Sequence, residues 1–252
     1  MAGYISIFNF KEMNQYYNQK VLRELKAWQY RMLAGPSFFD RLSKRFQNKV
    51  NSFIPEKIHQ AITVTIKQMI RGVLYGANIT TAKFKKDVSL QVKDALAEEK
   101  ISLYQKTAAA EGGLTGAGGI LLGLADFPLL LSIKLKLLFE LAAIYGYDLQ
   151  DYKERLYILY IFQLAFSSPQ HRRKIYDRMV NWEEERHYLP EDIHQFDWRS
   201  FQQEYRDYID IAKMAQLVPV IGAPVGAIVN YRLIKKLGVT AINAYRMRSV
   251  KI

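Results

Sequence analysis

The chain has 252 residues, no cysteine and a formal net charge of +12. This length can bury a large core, and a composition that is half hydrophobic is typical of a globular protein rather than a disordered one. The lack of cysteine excludes a disulfide framework, a thiol nucleophile and a Cys-ligated zinc site within this chain.

The charge is unevenly distributed along the chain. Residues 1–110 carry 18 Lys/Arg and 8 Asp/Glu (net +10), residues 111–210 carry 11 and 16 (net −5), and residues 211–252 carry 7 and 0 (net +7). A basic surface built from the two ends would attract an anionic partner. The alternative interpretation is that this charge serves solubility alone.

The N-terminal half shows the period of α-helices. Apolar residues at steps of three and four predict a helix over residues 11–33, and Gly35-Pro36 predicts its end. Residues 38–50 are predicted as a short basic helix, and Pro55 begins a third helix. A fourth is predicted over residues 87–110. Its expected apolar stripe consists of Val88, Val92, Leu96 and Leu103. No alternating run lies between hairpin turns, so few strands are expected.

A glycine-rich segment follows, with paired glycines at a spacing of four. The glycines are Gly112, Gly113, Gly116, Gly118, Gly119 and Gly123, and Gly222 and Gly226 repeat the spacing near the C-terminus. Small residues four apart let two helices approach closely, so Gly112, Gly116, Gly119, Gly123, Gly222 and Gly226 are the predicted helix-packing positions. We therefore expect residues 217–243 to pack against residues 112–123. A phosphate-binding loop is disfavoured because no Lys follows these glycines as in a P-loop. Insertion into lipid is a further alternative.

Asp126 and Pro128 predict the start of a helix over residues 127–144, with Asp126 as its N-cap. This helix is apolar nearly all round, so we expect it to be the buried centre of the fold. Gly146 is its predicted C-terminal stop. The alternative for Asp126 is a catalytic acid or base, because a carboxylate among apolar neighbours can have a raised pKa. Amphipathic helices are predicted over residues 151–166, 169–187 and 201–217.

Two long stretches resemble the signature of the EcsC family. The first is GLTGAGGILLGLADFPLLLSIKLKLLFELAAIYGYD (residues 113–148), and the second is PVIGAPVGAIVNYRLIKKLGVTAINAYRMR (residues 219–248). Trp28 in the first helix and the IPEKI turn at residues 54–58 also fit the layout of that family. The resemblance implies an intracellular helical protein, in some members peripheral to the membrane. The family is named for an operon that also encodes an ABC transporter. The resemblance supplies no catalytic residue.

Two Glu-x-x-His pairs, Glu184–His187 and Glu191–His194, have the spacing of ligands in di-iron carboxylate bundles. Such sites draw two pairs from separate helices, whereas Pro190 lies between these two. A solvated charged surface is therefore the favoured interpretation, and no cofactor or metal is predicted. The nucleophile motif GxSxG and the metalloprotease motif HExxH are absent from the sequence.

Basic residues mingle with aromatic ones in the N-terminal half, and the C-terminal end is also basic. The candidate membrane-surface residues are Arg31, Arg41, Lys44, Arg45, Lys235 and Lys236. An anionic membrane suits this pattern, and without a nucleic-acid-binding motif we predict no nucleic-acid partner. Transporter subunits are the protein partner that the resemblance implies.

The sequence thus predicts a single all-α domain over residues 1–252, built as a compact bundle around a buried central helix. The N-terminus lacks the pattern of a signal peptide, so we expect a cytoplasmic protein, peripheral to the inner membrane face. The predicted function is that of a non-enzymatic accessory protein. The alternatives are a hydrolase or metal-dependent enzyme, and a soluble protein-interaction domain.

Overall fold

Helices make up nearly all of the described backbone. The computed structural model describes residues 2–34, 56–75, 88–116, 119–167, 169–197 and 223–250, together with residues 84, 199 and 201. The α-helices, in chain order, are α1 (Ala2–Leu33), α2 (Glu56–Tyr75), α3 (Leu90–Gly116), α4 (Gly119–Tyr145), α5 (Tyr152–Phe166), α6 (Pro169–Val180), α7 (Trp182–Glu185) and α8 (Ala223–Ser249). Within these ranges no β-strand occurs, which confirms the predicted all-α class.

The most extensive helix contact joins α3 to α8, which run antiparallel. Asp94 at the start of α3 binds Arg246 near the end of α8, whereas Gln105, further along α3, donates a hydrogen bond to the carbonyl of Tyr231. Helix α4 folds back on α3, and Tyr104 donates a 2.7 Å hydrogen bond from its hydroxyl to Glu140 Oε1. The C-terminal helix thus packs along the helix that leads into the glycine-rich segment, whereas the predicted contact of residues 217–243 with residues 112–123 stays a prediction.

The fully buried helix is α5, not the predicted residues 127–144. Every residue of α5 is buried, including Lys153, Glu154 and Arg155. In contrast, α4 leaves Pro128, Leu129, Ser132 and Lys136 exposed. The sequence prediction was wrong because hydrophobicity was taken as the signal of burial. The charged residues of α5 lie at its N-terminal end and can be buried there because partners from other segments compensate them.

Helix α4 begins earlier than predicted, and this corrects the proposed role of Asp126. The helix starts at Gly119, so Asp126 and Pro128 lie inside it and Asp126 cannot be its N-cap. A proline within a helix removes one backbone hydrogen bond, but it does not end this helix.

The end of α4 is as predicted. Gly146 adopts φ 93°, and the amides of Gly146 and Tyr147 bond to the carbonyls of Ala143 and Ala142. This is a Schellman motif.

The buried side of α3 differs from the predicted stripe. Val92 and Leu103 are 44% and 54% exposed, and the buried positions are Asp94, Ala97, Ile101, Tyr104, Gln105 and Ala108. Small and polar residues face the core here because α8 approaches closely and supplies polar partners. Burial at these positions therefore does not follow hydrophobicity.

The remaining described helices cover this core. Helix α1 contacts α6 and α8, and α2 contacts α5 and α4. Ile66, Met69 and Val73 are buried on α2, as the spacing predicted. Helix α1 is longer at its N-terminus than predicted, and the segment predicted as one helix over residues 169–187 is divided into α6 and α7. The helix predicted over residues 38–50 and most of the one over 201–217 lie outside the described residues.

Candidate functional site

One exposed side of α8 carries both apolar and basic residues. Ile228, Tyr231, Arg232, Lys235 and Val239 recur at steps of three and four, so they share one side of the helix, and all five are exposed. We call these five residues the α8 face. Residues 228–239 contain no Asp or Glu, so no acidic side chain of this stretch offsets the positive charge.

The α8 face ends where α1 crosses the helix. Arg246 lies eleven residues beyond Lys235 and therefore points in nearly the same direction. Its side chain is nevertheless buried, because Glu24 of α1 and Asp94 of α3 bind it, each at 3.0 Å. Helix α1 thus covers the C-terminal part of this side of α8, and the α8 face is the part left uncovered.

The outward side of α1 is also basic and aromatic. Val21, Leu25 and Trp28 are buried against the core, and the opposite side exposes Tyr16, Arg23, Lys26 and Tyr30. We call these last four residues the α1 face. Because Glu24 of α1 binds Arg246, the α1 face and the α8 face belong to two helices in direct contact.

Three of the candidate membrane-surface residues lie on these two helices. Lys235 belongs to the α8 face. Lys236 is exposed next to it, with Nζ 5.9 Å from the centre of the Phe166 ring. Arg31 is exposed on α1, and its Nε donates a hydrogen bond to the carbonyl of Ala27. The other three candidates, Arg41, Lys44 and Arg45, lie outside the described residues.

Trp28 belongs to the core rather than to the surface. It is buried and packs edge-on against Tyr176, with ring centres 6.0 Å apart. The aromatic and basic segment around residue 28 is thus divided between the core and the surface, and Tyr30 and Arg31 are its exposed part.

Arg246 joins α1, α3 and α8 through a buried carboxylate. Asp94 is 1% exposed, and it accepts hydrogen bonds from Arg246 and from the hydroxyls of Tyr17 and Tyr145. Burial and the neighbouring Asp94 raise the pKa of Tyr145 far above that of free tyrosine, so its hydroxyl stays a donor. This cluster fixes α1 on α8 and so determines how much of α8 is exposed.

Arg248 forms a second buried cluster at the same end of α8. Its guanidinium lies 3.9 Å from the centre of the Tyr147 ring and 4.7 Å from that of Tyr157. It also binds Glu154 at 2.6 Å and Glu183 at 2.9 Å. Two aromatic faces and two carboxylates compensate the buried charge, and the cluster ties α8 to α5 and α7.

A polar cavity of about 430 Å³ opens beside this cluster. Its lining residues are Asp151, Tyr152, Lys153, Glu183, Arg186, His187 and Glu191. Arg186 bonds to Asp151 at 2.7 Å and to Glu154 at 2.9 Å, and Lys153 Nζ lies 2.7 Å from Glu191 Oε1. Sequence reasoning missed this cavity because its charges come from three segments that are separated in the chain.

The two Glu-x-x-His pairs do not converge on one point. Glu184 lies in α7, and His187 follows that helix, its Nδ1 within hydrogen-bonding distance of the carbonyl of Glu183. Glu191 binds Lys153, and His194 lies in a 3-10 helix (Ile193–Gln195) capped by Asp192. Throughout the described part of the chain, no three His, Asp or Glu side chains are grouped as metal binding would require.

A buried lysine is a further feature that the sequence did not single out. Lys134 on α4 is fully buried, and its Nζ donates to the carbonyl of Leu130 at 3.2 Å. Burial lowers the pKa of Lys134 to about 7. Lys134 interrupts an otherwise apolar side of α4, and this interruption was the available signal in the sequence.

The glycines of the predicted packing motif lie in helices where the structure describes them. Gly112 and Gly116 belong to α3, Gly119 and Gly123 to α4, and Gly226 to α8, whereas Gly222 is outside the described residues. Their role in helix packing stays a prediction. The close approach that the structure does describe involves Gly238, which was not among them.

Comparison with known proteins agrees with the two signature stretches. The sequence model of the EcsC protein family matches residues 19–250. The chain belongs to the EcsC family. It is 49% identical to Protein EcsC of Bacillus subtilis (strain 168) over 237 residues, which cover 93% of this chain and 97% of that protein.

A second relative from the same organism, Uncharacterized protein YdbA, is 28% identical over 249 residues and 91% of each chain. No solved structure matches this EcsC family member. None of its described helices combines the length and hydropathy of a membrane span. The family match covers α2 to α8 and the second half of α1, and the names of the two relatives state no activity.

Proposed function

We propose that this protein is a non-enzymatic accessory protein that docks on the anionic inner surface of the cell membrane. The observation that carries the proposal is the α8 face, an exposed side of a helix with basic and apolar residues and no acidic one. The α1 face, on a helix in contact with α8, adds Arg23 and Lys26, with Tyr16 and Tyr30 beside them.

The composition of the two faces suits the interface between lipid and water. Lys and Arg are attracted to anionic head groups, and each contributes about 1 kcal/mol near such a surface. Tyrosine and aliphatic side chains can enter the boundary between head groups and acyl chains. The four exposed basic residues of the two faces thus provide attraction, and their apolar neighbours provide contact at short range.

Resemblance to a family named for an operon with an ABC transporter suggests where on the membrane the protein acts. We propose transporter subunits as its protein partner there. This part of the proposal rests on the family and not on a geometric feature, so its test is separate: co-purification with the transporter subunits from detergent-solubilised membranes.

The membrane proposal is tested by flotation with liposomes. We expect binding to vesicles that contain phosphatidylglycerol, weak binding to pure phosphatidylcholine, and loss of binding at high salt. The variant Arg232→Glu/Lys235→Glu should bind at least about 30-fold more weakly, because removing two favourable charges costs about 2 kcal/mol.

A matched control reverses two exposed lysines on other helices. Lys67→Glu/Lys136→Glu changes the net charge by the same amount, and it should bind better than the α8 variant. Equal loss in both variants would indicate attraction by net charge alone and would contradict a specific face. Salt-resistant binding to both lipids would instead favour insertion of the glycine-rich segments, and no binding would reject membrane docking.

A further inference from the structure

The carboxylate of Glu191 occupies a positively charged position at the mouth of the polar cavity. Lys153 bonds to it at 2.7 Å, and Lys153, followed by Arg186 and His187, lowers the pKa of Glu191. Three side chains that line the cavity therefore favour a negative charge at one point. A carboxylate oxygen of Glu191 occupies that position.

The two partners in this ion pair are unequally buried. The side chain of Lys153 is 9% exposed, whereas that of Glu191 is 94% exposed. Glu191 therefore has little packing that holds its side chain in place. In contrast, a buried ammonium without an anion is costly, so Lys153 requires some anion at this position.

The backbone near Glu191 is held independently of its side chain. The hydroxyl of Tyr152 donates to the carbonyl of Pro190, and the ring of Phe196 packs on that of Tyr152 with centres 6.2 Å apart. These contacts lie on either side of Glu191 in the sequence. Its carboxylate can consequently leave Lys153 by side-chain rotation alone, while the wall of the cavity stays in place.

The other acidic residues at the cavity have arginine partners. Asp151 and Glu154 bind Arg186, and Glu154 and Glu183 bind Arg248. With Glu191 rotated away, these three carboxylates face Arg186, Arg248, Lys153 and the buried Arg155, which interacts with Asp151. The positive charges then outnumber the carboxylates by one, and a ligand with one negative group would offset that charge.

We propose that the cavity binds a small molecule through its carboxylate or phosphate group, which replaces Glu191 on Lys153. The cavity volume of about 430 Å³ lies in the range of sites for small molecules. Glu191 then acts as an internal competitor. A tethered carboxylate has an effective concentration of at least millimolar order, so it weakens the apparent affinity for an external anion.

The test is to titrate the full chain with inorganic phosphate and, separately, with acetate. Binding is monitored through the ring resonances of His187 in NMR spectra. Glu191→Gln removes the competitor without changing a packed residue, and we expect it to bind one of the two anions at least tenfold more tightly than the unmodified protein does. Glu185→Gln is the matched control, since Glu185 is also exposed in this segment but does not line the cavity. This control should bind as the unmodified protein does.

A second variant tests the cation. Lys153→Met in the Glu191→Gln background should abolish the added affinity, and its fold is checked by circular dichroism. If Glu191→Gln binds neither anion more tightly than Glu185→Gln does, the proposal is wrong. It is also wrong if a folded Lys153→Met/Glu191→Gln variant keeps the tighter binding. The probes contain no lipid, so these results are independent of membrane docking.

Discussion

Gly238 of α8 lies directly against the side chain of Ile101 of α3. A Cβ atom placed on Gly238 would lie 2.4 Å from Ile101 Cγ1 and 2.5 Å from Cδ1, which is closer than non-bonded carbon atoms can approach. The crossing occurs in the middle of the most extensive helix contact. The absence of a side chain at residue 238 is therefore what lets these two helices pack at their observed distance.

Replacing Gly238 by alanine should destabilise the protein by about 1–3 kcal/mol, because the added methyl group forces the packed helices apart or displaces Ile101. Urea denaturation measures this change in the free energy of unfolding. Gly72→Ala is the control, since a Cβ atom there meets nothing within 4 Å. It should stabilise the protein by up to about 1 kcal/mol through helix propensity alone.

A double-mutant cycle separates the steric effect from the effect of helix propensity. In an Ile101→Ala background the space beside residue 238 is open, so Gly238→Ala should cost less there than in the unmodified chain. If Gly238→Ala lowers the free energy of unfolding equally in the two backgrounds, contact with Ile101 is not the reason that residue 238 must be glycine.

Asp94 is predicted to be the most sensitive charged position of the core. Asp94→Ala would leave the buried Arg246 without its buried partner and two tyrosine hydroxyls without their acceptor. Removing one partner of such a pair costs about 3–5 kcal/mol. Glu24→Gln removes only the half-exposed partner of Arg246. In denaturation measurements it should lower the free energy of unfolding by less than about 1 kcal/mol. A similar cost for both substitutions would argue against a central role for Asp94.

Gly146 should be sensitive for a reason of backbone conformation. Its φ of 93° is unfavourable for a residue with a Cβ atom, so Gly146→Ala should lower the free energy of unfolding by about 1–2 kcal/mol. Gly146→Asn should be better tolerated, since asparagine accepts positive φ more readily. Thermal denaturation of the two variants would test this order, and an alanine variant as stable as the asparagine one would contradict it.

Helical periodicity in the sequence was sufficient to predict most of the described helices but not which of them is central. The spacing of Ile66, Met69 and Val73 predicted α2 correctly, and Gly146 predicted the end of α4. Burial of α5 could not be predicted, because Lys153, Glu154 and Arg155 appear in the sequence as a charged surface. Their partners, such as Arg186 and Arg248, become visible only when the chain is folded.

The candidate sites, too, could be predicted only in part from the sequence. Basic charge near the C-terminus predicted a basic surface, and Lys235 and Lys236 are exposed whereas Arg246 is buried, because its acidic partners come from distant parts of the chain. A membrane contact of the two lysines stays a prediction. The cavity at Lys153 depends on a pairing with Glu191 across 38 residues, and no local pattern specifies it. Asp126 was misread because a proline in the first turn and a proline inside a helix have the same sequence signature.

Lys134 should make stability depend on pH. The pKa of Lys134 is about 7 in the folded protein and about 10.4 for an unfolded lysine, so the unfolded state binds more protons between these values. The free energy of unfolding therefore increases with pH between about 7 and 10 because of this residue. Below pH 7 the free-energy cost of burying the amine has its full value.

Lys134→Met should consequently stabilise the protein by on the order of 3–5 kcal/mol at pH 6, and the gain should shrink toward zero as the pH approaches 10. Urea denaturation of both proteins at pH 6 to 9.5 measures the difference. Lys136→Met is the control, because Lys136 is exposed on the same helix, and it should show no comparable trend. A gain that stays constant with pH would mean that Lys134 is protonated in the folded state throughout this range, since only a proton lost on folding can produce the slope.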